Sequence, residues 1–123
     1  MKDGEDEMSE NRREFFRVMF NQAMNGKVSI YGGEFLPIEI YNVSAGGLVF
    51  SSALNIPLEE HVNCSFELLD SAFLLDGSIV RKLTGKDMIE YGVEFSVDQG
   101  TSSELFKQLN YYQIRQRKGQ YAD

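Results

Sequence analysis

From Arg17 to Val97 the chain is cut into short apolar-rich runs by glycine, asparagine, proline and aspartate, and this punctuation constrains the fold more than any other feature. Residues 17–24 end at Asn25-Gly26, a hairpin signal, and 27–31 return with apolar residues at alternate positions. Residues 35–43 and 47–52 flank the small-residue string Ser44-Ala45-Gly46. Residues 62–69, 73–83 and 88–97 follow, separated by Asp70-Ser71 and by Thr84-Gly85-Lys86-Asp87. Many short strands at this spacing predict a mostly β chain whose sheet closes into a barrel, although periodicity alone does not give the strand number. Thr101-Ser102-Ser103-Glu104 then fits a capping box with Thr101 as N-cap, ahead of Leu105, Leu109 and Tyr112 at i, i+4 and i+7. A helix of about four turns is expected over 101–117, with Arg115, Arg117 and Lys118 complementing its C-terminal dipole. Exposed aromatics such as Tyr111 beside that basic end give the helix a secondary reading as a partner-docking surface.

Two strings carry the candidate chemistry. In Arg12-Arg13-Glu14-Phe15-Phe16-Arg17, Arg13 and Arg17 stand four residues apart, which puts both guanidinia on one side of an extended or a helical chain. A guanidinium is a planar fork of donors that matches phosphate oxygens and the O6/N7 edge of guanine, so two forks suit a doubly anionic nucleotide. In Asn42-Val43-Ser44-Ala45-Gly46-Gly47, Asn42 and Ser44 fall on one face of a strand end, and the turn that follows leaves backbone N–H groups unscreened by side chains. The Asn42 amide oxygen can accept from guanine N1–H or N2–H, and the Ser44 hydroxyl can donate to a phosphate or to the base. Phe15 and Phe16 could stack on a base, but aromatics at the entry to a barrel are more often core.

Arg-x-x-x-Arg followed, one strand later, by Asn-x-Ser-x-x-Gly resembles the PilZ family of bacterial cyclic di-GMP receptors. Gly77-Ser78-Ile79-Val80-Arg81 and Tyr91-Gly92-Val93-Glu94-Phe95 are similar to that family's two late strands, so the likeness spans most of the chain. Asn42 stands where the family often has aspartate, which keeps the acceptor oxygen and loses the charge. The family's turn glycine after its Leu-Pro segment is missing from Ile56-Pro57-Leu58-Glu59-Glu60-His61, a departure remote from the site. The resemblance implies a six-stranded antiparallel β-barrel with a C-terminal helix and a flexible N-terminal arm. It also implies cyclic di-GMP held by Arg12, Arg13, Arg17, Asn42, Ser44, Gly46 and Gly47, with Arg81 and Gly92 as secondary positions. In the family an arginine at the position of Arg12 goes with a stacked pair of ligands, so two cyclic di-GMP per protomer are expected.

Composition fits a small binding module. The 123 residues make one domain, 11–118, comprising an arm (11–17), the barrel (18–98) and the helix, between an acidic flexible tail (1–10) and a flexible end (119–123). A hydrophobic content of 42% with nine Phe and six Tyr supplies a core. The net charge of −7 disfavours long nucleic acid, yet a few local arginines can neutralise a compact dinucleotide. No apolar leader or membrane-length stretch is present, so membrane insertion is not expected and a cytoplasmic location is. Cys64 reads as a small buried apolar residue, and His61, the only histidine, as a surface residue. Without a second metal-ligand residue at suitable spacing, a nucleophile with its base or a Gly-Lys-Ser/Thr loop, the chain is not expected to be an enzyme or to need a metal or cofactor.

The mechanism these features support is ligand-ordered docking. The arm would bring arginines onto the barrel around the nucleotide, and a protein effector would read the surface so formed. The alternative is a PilZ-like interaction module without ligand, and a barrel binding single-stranded nucleic acid comes third.

Overall fold

The computed structural model describes residues 16–30 and 32–122. Arg12, Arg13, Phe15 and the acidic tail lie outside the described residues. Among the described residues six strands, β1 (Arg17–Ile30), β2 (Phe35–Ser44), β3 (Gly47–Ser52), β4 (His61–Leu68), β5 (Ser71–Thr84) and β6 (Ile89–Phe95), precede one helix, α1 (Gln99–Ala122). Every pairing is antiparallel, and the sheet closes in the order β1-β2-β3-β6-β5-β4. The expected six-stranded barrel with a C-terminal helix is therefore observed.

The Asn25-Gly26 hairpin is not. β1 runs straight through both residues, which pair with Glu39 and Ile38 of β2. A Cβ on Gly26 would stand 2.5 Å from Ile40 Cδ1 and 3.0 Å from the Ser65 carbonyl, so this glycine serves close packing inside a strand and not a turn. The chain reverses instead at Gly32, whose φ is +68°, with Gly33 N–H donating to Ile30 O at 3.0 Å. Pro37 is tolerated within β2 because it pairs with Lys27 of β1 before the β2–β3 ladder begins at Glu39.

Inside the barrel Ile40, Val43, Phe50, Val62, Cys64, Ile79 and Tyr91 are fully buried, and Phe50 stacks on Tyr91 with ring centroids 5.1 Å apart. The connection from β3 to β4 joins strands that are not neighbours and drops the buried Ile56 into the core as it crosses. The Tyr91 hydroxyl fixes this crossing by accepting from Ile56 N–H at 2.8 Å and donating to Leu54 O at 2.5 Å. On the same connection Glu59 adopts φ +69°, the left-handed conformation a glycine would take without strain.

The helix starts earlier and ends later than expected. Asp98, not Thr101, is the N-cap: its carboxylate accepts from Thr101 N–H at 2.7 Å, which with the Thr101 side chain lowers its pKa. Aspartate outcompetes threonine because it is placed three residues before a free N–H and carries the charge the helix N-terminus favours. Glu104 binds Gln108 one turn on, not the cap. At the other end the glutamine- and arginine-rich sequence carries the helix to Ala122, so its last turn holds no basic residue and 119–122 are helical. Leu105 and Leu109 are fully buried as expected, while Phe106 and Tyr112 meet Phe16 and Phe20 at 4.9 and 5.5 Å between ring centroids. Phe16 is thus part of the packing between barrel and helix, and Tyr111 is exposed.

Candidate functional site

The register of β1 against β2 joins the two strings. Arg17 opens β1 opposite Ser44, and Met19 lies opposite Asn42, so Arg17 is the diagonal neighbour of Asn42. The Arg17 guanidinium uses this proximity, donating from Nη1 to Asn42 Oδ1 at 2.5 Å. Arg17 is therefore a residue of the barrel, where the sequence placed it on the arm. The reason is the strand pairing itself, which begins at Arg17.

Three local irregularities aim the site outward. Along β2, Ile38 and Ile40 face the core, and strict alternation would send Asn42 inward with them. Between Ile40, opposite Phe50, and Asn42, opposite Val49, Tyr41 is an extra residue in the ladder. This bulge reverses the parity: Val43, opposite buried Val18, takes the core side and Asn42, opposite exposed Met19, the other, although Asn42 and Ser44 both stay buried, and Tyr41 itself is held by a 2.9 Å hydrogen bond with Ser51. On β5 Val80 does the same between Ile79, opposite Val93, and Arg81, opposite Gly92. Arg81 is thereby turned outward from a strand whose Phe73, Leu75 and Ile79 point in. On β1 the pairing with β2 shifts between Met19 and Met24.

The result is one transverse row over five strands: Met19, Asn42, Val49, Gly92 and Arg81. These residues line an open depression of about 460 Å³, with Arg17 at its β1 side and Leu48, Val80 and Val93 completing it. Its floor is apolar and its two flanks carry guanidinia, which suits a flat, anionic ligand. Gly92 keeps the floor low: the Arg81 side chain crosses it so closely that a Cβ there would meet Arg81 Cβ at 3.2 Å.

The turn residues have internal duties. The buried Ser44 hydroxyl accepts from Gly46 N–H at 3.3 Å and donates to Gly47 O at 3.4 Å, closing the two-residue β2–β3 turn. Gly46 O accepts from Phe95 N–H at 2.9 Å. At Gly47 a Cβ would fall 2.1 Å from Val93 O, so glycine is required for β3 to pair with β6 whether or not a ligand approaches. Sequence reasoning missed Met19, Leu48, Val49, Val80 and Val93 as lining residues. No signal in the chain marks them, because only the bulged registers bring them together.

Elsewhere, His61 is exposed and Cys64 is buried, its thiol pushed up to about 12 by desolvation. No group of three or more metal-binding side chains occurs among the described residues, and no described helix is long and apolar enough to cross a membrane.

With barrel, register and depression in place, comparison with known proteins decides the family. The sequence matches the PilZ domain over residues 11–111, most of its length. The chain belongs to the PilZ domain family. PilZ domains are non-catalytic ligand-binding modules. No curated protein matches the sequence. Among solved structures it is similar to the PilZ domain of Escherichia coli YcgR with c-di-GMP (TM-score 0.66, 14% identity, 84% of this chain and 92% of that one). It is also similar to the Bacillus subtilis inhibitor of motility MotI/DgrA (0.64, 16%, 82% and 52%) and to Borreliella burgdorferi PlzA in complex with c-di-GMP (0.61, 14%, 88% and 45%). This PilZ domain therefore spans about half the length of MotI and of PlzA. At these identities the likeness is one of fold.

Proposed function

We propose that this PilZ domain is a cyclic di-GMP receptor that binds the nucleotide between the segment preceding β1 and the outer face of the barrel. One observation carries the reading: Arg17 and Asn42, one from each sequence string, are joined by a hydrogen bond on the wall of a 460 Å³ depression of suitable polarity. Two relatives of the same fold were solved with c-di-GMP, which supports the ligand's identity. In this reading Arg17 grips a phosphate or a guanine edge, and Asn42 both steers that guanidinium and accepts from the base. Ser44, Gly46 and Gly47 shape the turn against which the ligand rests, and Arg12 and Arg13 close over it from the preceding segment. Arg12 recruits a second cyclic di-GMP stacked on the first.

Closure of that segment changes the surface beside Phe16 and α1, and a protein effector recognises the change. The acidic chain repels long nucleic acid while the local arginines neutralise a dinucleotide. Calorimetry with cyclic di-GMP, GMP and a short oligonucleotide tests the reading. Saturable binding of cyclic di-GMP alone, at two per protomer, is expected. Stoichiometry near one removes the role given to Arg12, and no binding leaves an interaction module without ligand. A pull-down with and without cyclic di-GMP tests the effector.

A further inference from the structure

The second guanidinium of the depression has no part in the two strings. Arg81 reaches it only because Val80 is bulged, and its side chain lies across Gly92, with Nε and Cζ 3.5 and 3.9 Å from where a Cβ of residue 92 would be. Its guanidinium is consequently over β6. The Arg17 guanidinium, bonded to Asn42, is over β2. One strand, β3, separates β2 from β6, so at about 4.8 Å per strand the strands beneath the two cations lie roughly 10 Å apart, with Val49 on the strand between. That is a span for a ligand carrying anionic or acceptor groups at two ends of an apolar, flat body.

Arg81 is also engaged at present. Its Nη2 lies 3.5 Å from Glu90 Oε2, two residues along β6 from Gly92, and both side chains are exposed, 61% and 43%. An exposed ion pair with one long contact is weak and easily exchanged. Glu90 is itself an anion at the edge of a site proposed for an anion.

The family resemblance already gives Arg81 as a secondary ligand position; we propose that Glu90 is the internal counter-anion that the ligand displaces from it. The proposal rests on the cyclic di-GMP reading and adds to it a residue pair that sets affinity. Glu90 keeps the guanidinium extended over Gly92, and the incoming phosphate or guanine acceptor takes its place. Gly92 leaves room for Arg81 to lie flat, since a Cβ there would stand 3.2 Å from Arg81 Cβ and crowd it.

Calorimetry with cyclic di-GMP on the full chain tests this. Arg81→Met, which keeps the aliphatic stem, should weaken binding roughly ten- to hundred-fold and flatten its salt dependence, as loss of a hydrogen-bonded charge does. Glu90→Gln should strengthen binding about two- to fivefold, and most of that gain should vanish in the Arg81→Met background. Gly92→Ala should weaken binding in the same direction as Arg81→Met. Melting temperatures without ligand check that each variant is folded. Unchanged affinity in a folded Arg81→Met protein, with Arg17→Met still impaired, overturns the proposal and leaves the receptor reading intact. A Glu90→Gln gain that persists in full without Arg81 overturns the displacement. If the unaltered chain binds no cyclic di-GMP, the receptor reading itself falls and this proposal with it.

Discussion

The hairpin of β4 and β5 and the face formed by β1, β2, β3, β6 and the second half of β5 are built by opposite rules. β4 and β5 pair without interruption from His61 opposite Ser78 to Leu68 opposite Ser71, and their side chains alternate between core and surface throughout. On the other face three of the ladders change register, at Met19/Met24, Ile40/Asn42 and Ile79/Arg81, and the three shifts border one row of residues. The regular half is core-directed: Cys64, Phe66 and Leu75 are buried, and Phe66 stacks on Phe73 at 5.6 Å. The bulged half gives up ladder regularity to carry Asn42 and Arg81 outward from strands whose neighbouring residues point in. A barrel can thus hold stability and binding on separate parts of one closed sheet.

That separation can be broken by substitution. In the regular half, Phe66→Ala should cost about 3–5 kcal/mol of stability, read from urea unfolding, because it empties a packed aromatic site. What remains folded should bind ligand as before, and a parallel loss of affinity would show the halves to be coupled. Cys64 sharpens the same point through pH. Its thiol pKa is raised from 9.0 to about 12 by burial, so the native state favours the neutral thiol. Its stabilising contribution is complete below pH 9 and is lost as pH rises from 9 toward 12, up to about 4 kcal/mol at ~1.4 kcal/mol per unit. Cys64→Val should remove that component of the alkaline destabilisation, measured as the difference between the two unfolding curves.

In the bulged half the pattern should invert. Arg17→Ala should weaken cyclic di-GMP binding on the order of ten- to a hundred-fold, equivalent to roughly 1.5–3 kcal/mol, while its unfolding temperature without ligand barely moves. Asn42→Ala should cost less affinity, and a large loss of stability in either variant would assign the pair to the fold instead. Between the halves, Glu59→Gly on the β3–β4 crossing should raise stability by about 1 kcal/mol, relieving a left-handed conformation that disfavours a side chain. The smallest effect belongs to the helix cap. Asp98→Ala should lower the melting temperature slightly at neutral pH. Because the native pKa of Asp98 is depressed, the difference should close as pH falls through that value.

Legibility in the sequence follows the same division. Residues 62–69 and 73–83 read correctly as strands because period-two alternation is what a regular ladder requires. The Asn25-Gly26 signal misled because the local preference for a turn lost to pairing with β2, where Gly26 admits Ile40. The helix cap was misplaced by three residues because Asp98 and Thr101 both have capping chemistry, and only the backbone geometry decides between them.

At the site, the sequence alone determined which groups are available: the arginine fork, the Asn-x-Ser-x-x-Gly turn and their order along the chain. It also determined that the chain is mostly β, since alternation and turn residues are local properties. The tertiary structure decided which of these groups meet. Arg17 touches Asn42, and Arg81 shares their depression, only because extra residues at Tyr41 and Val80 reverse the facing of two strands. A bulge is a relation between two strands and depends on the partner's register, so no single stretch of sequence contains it.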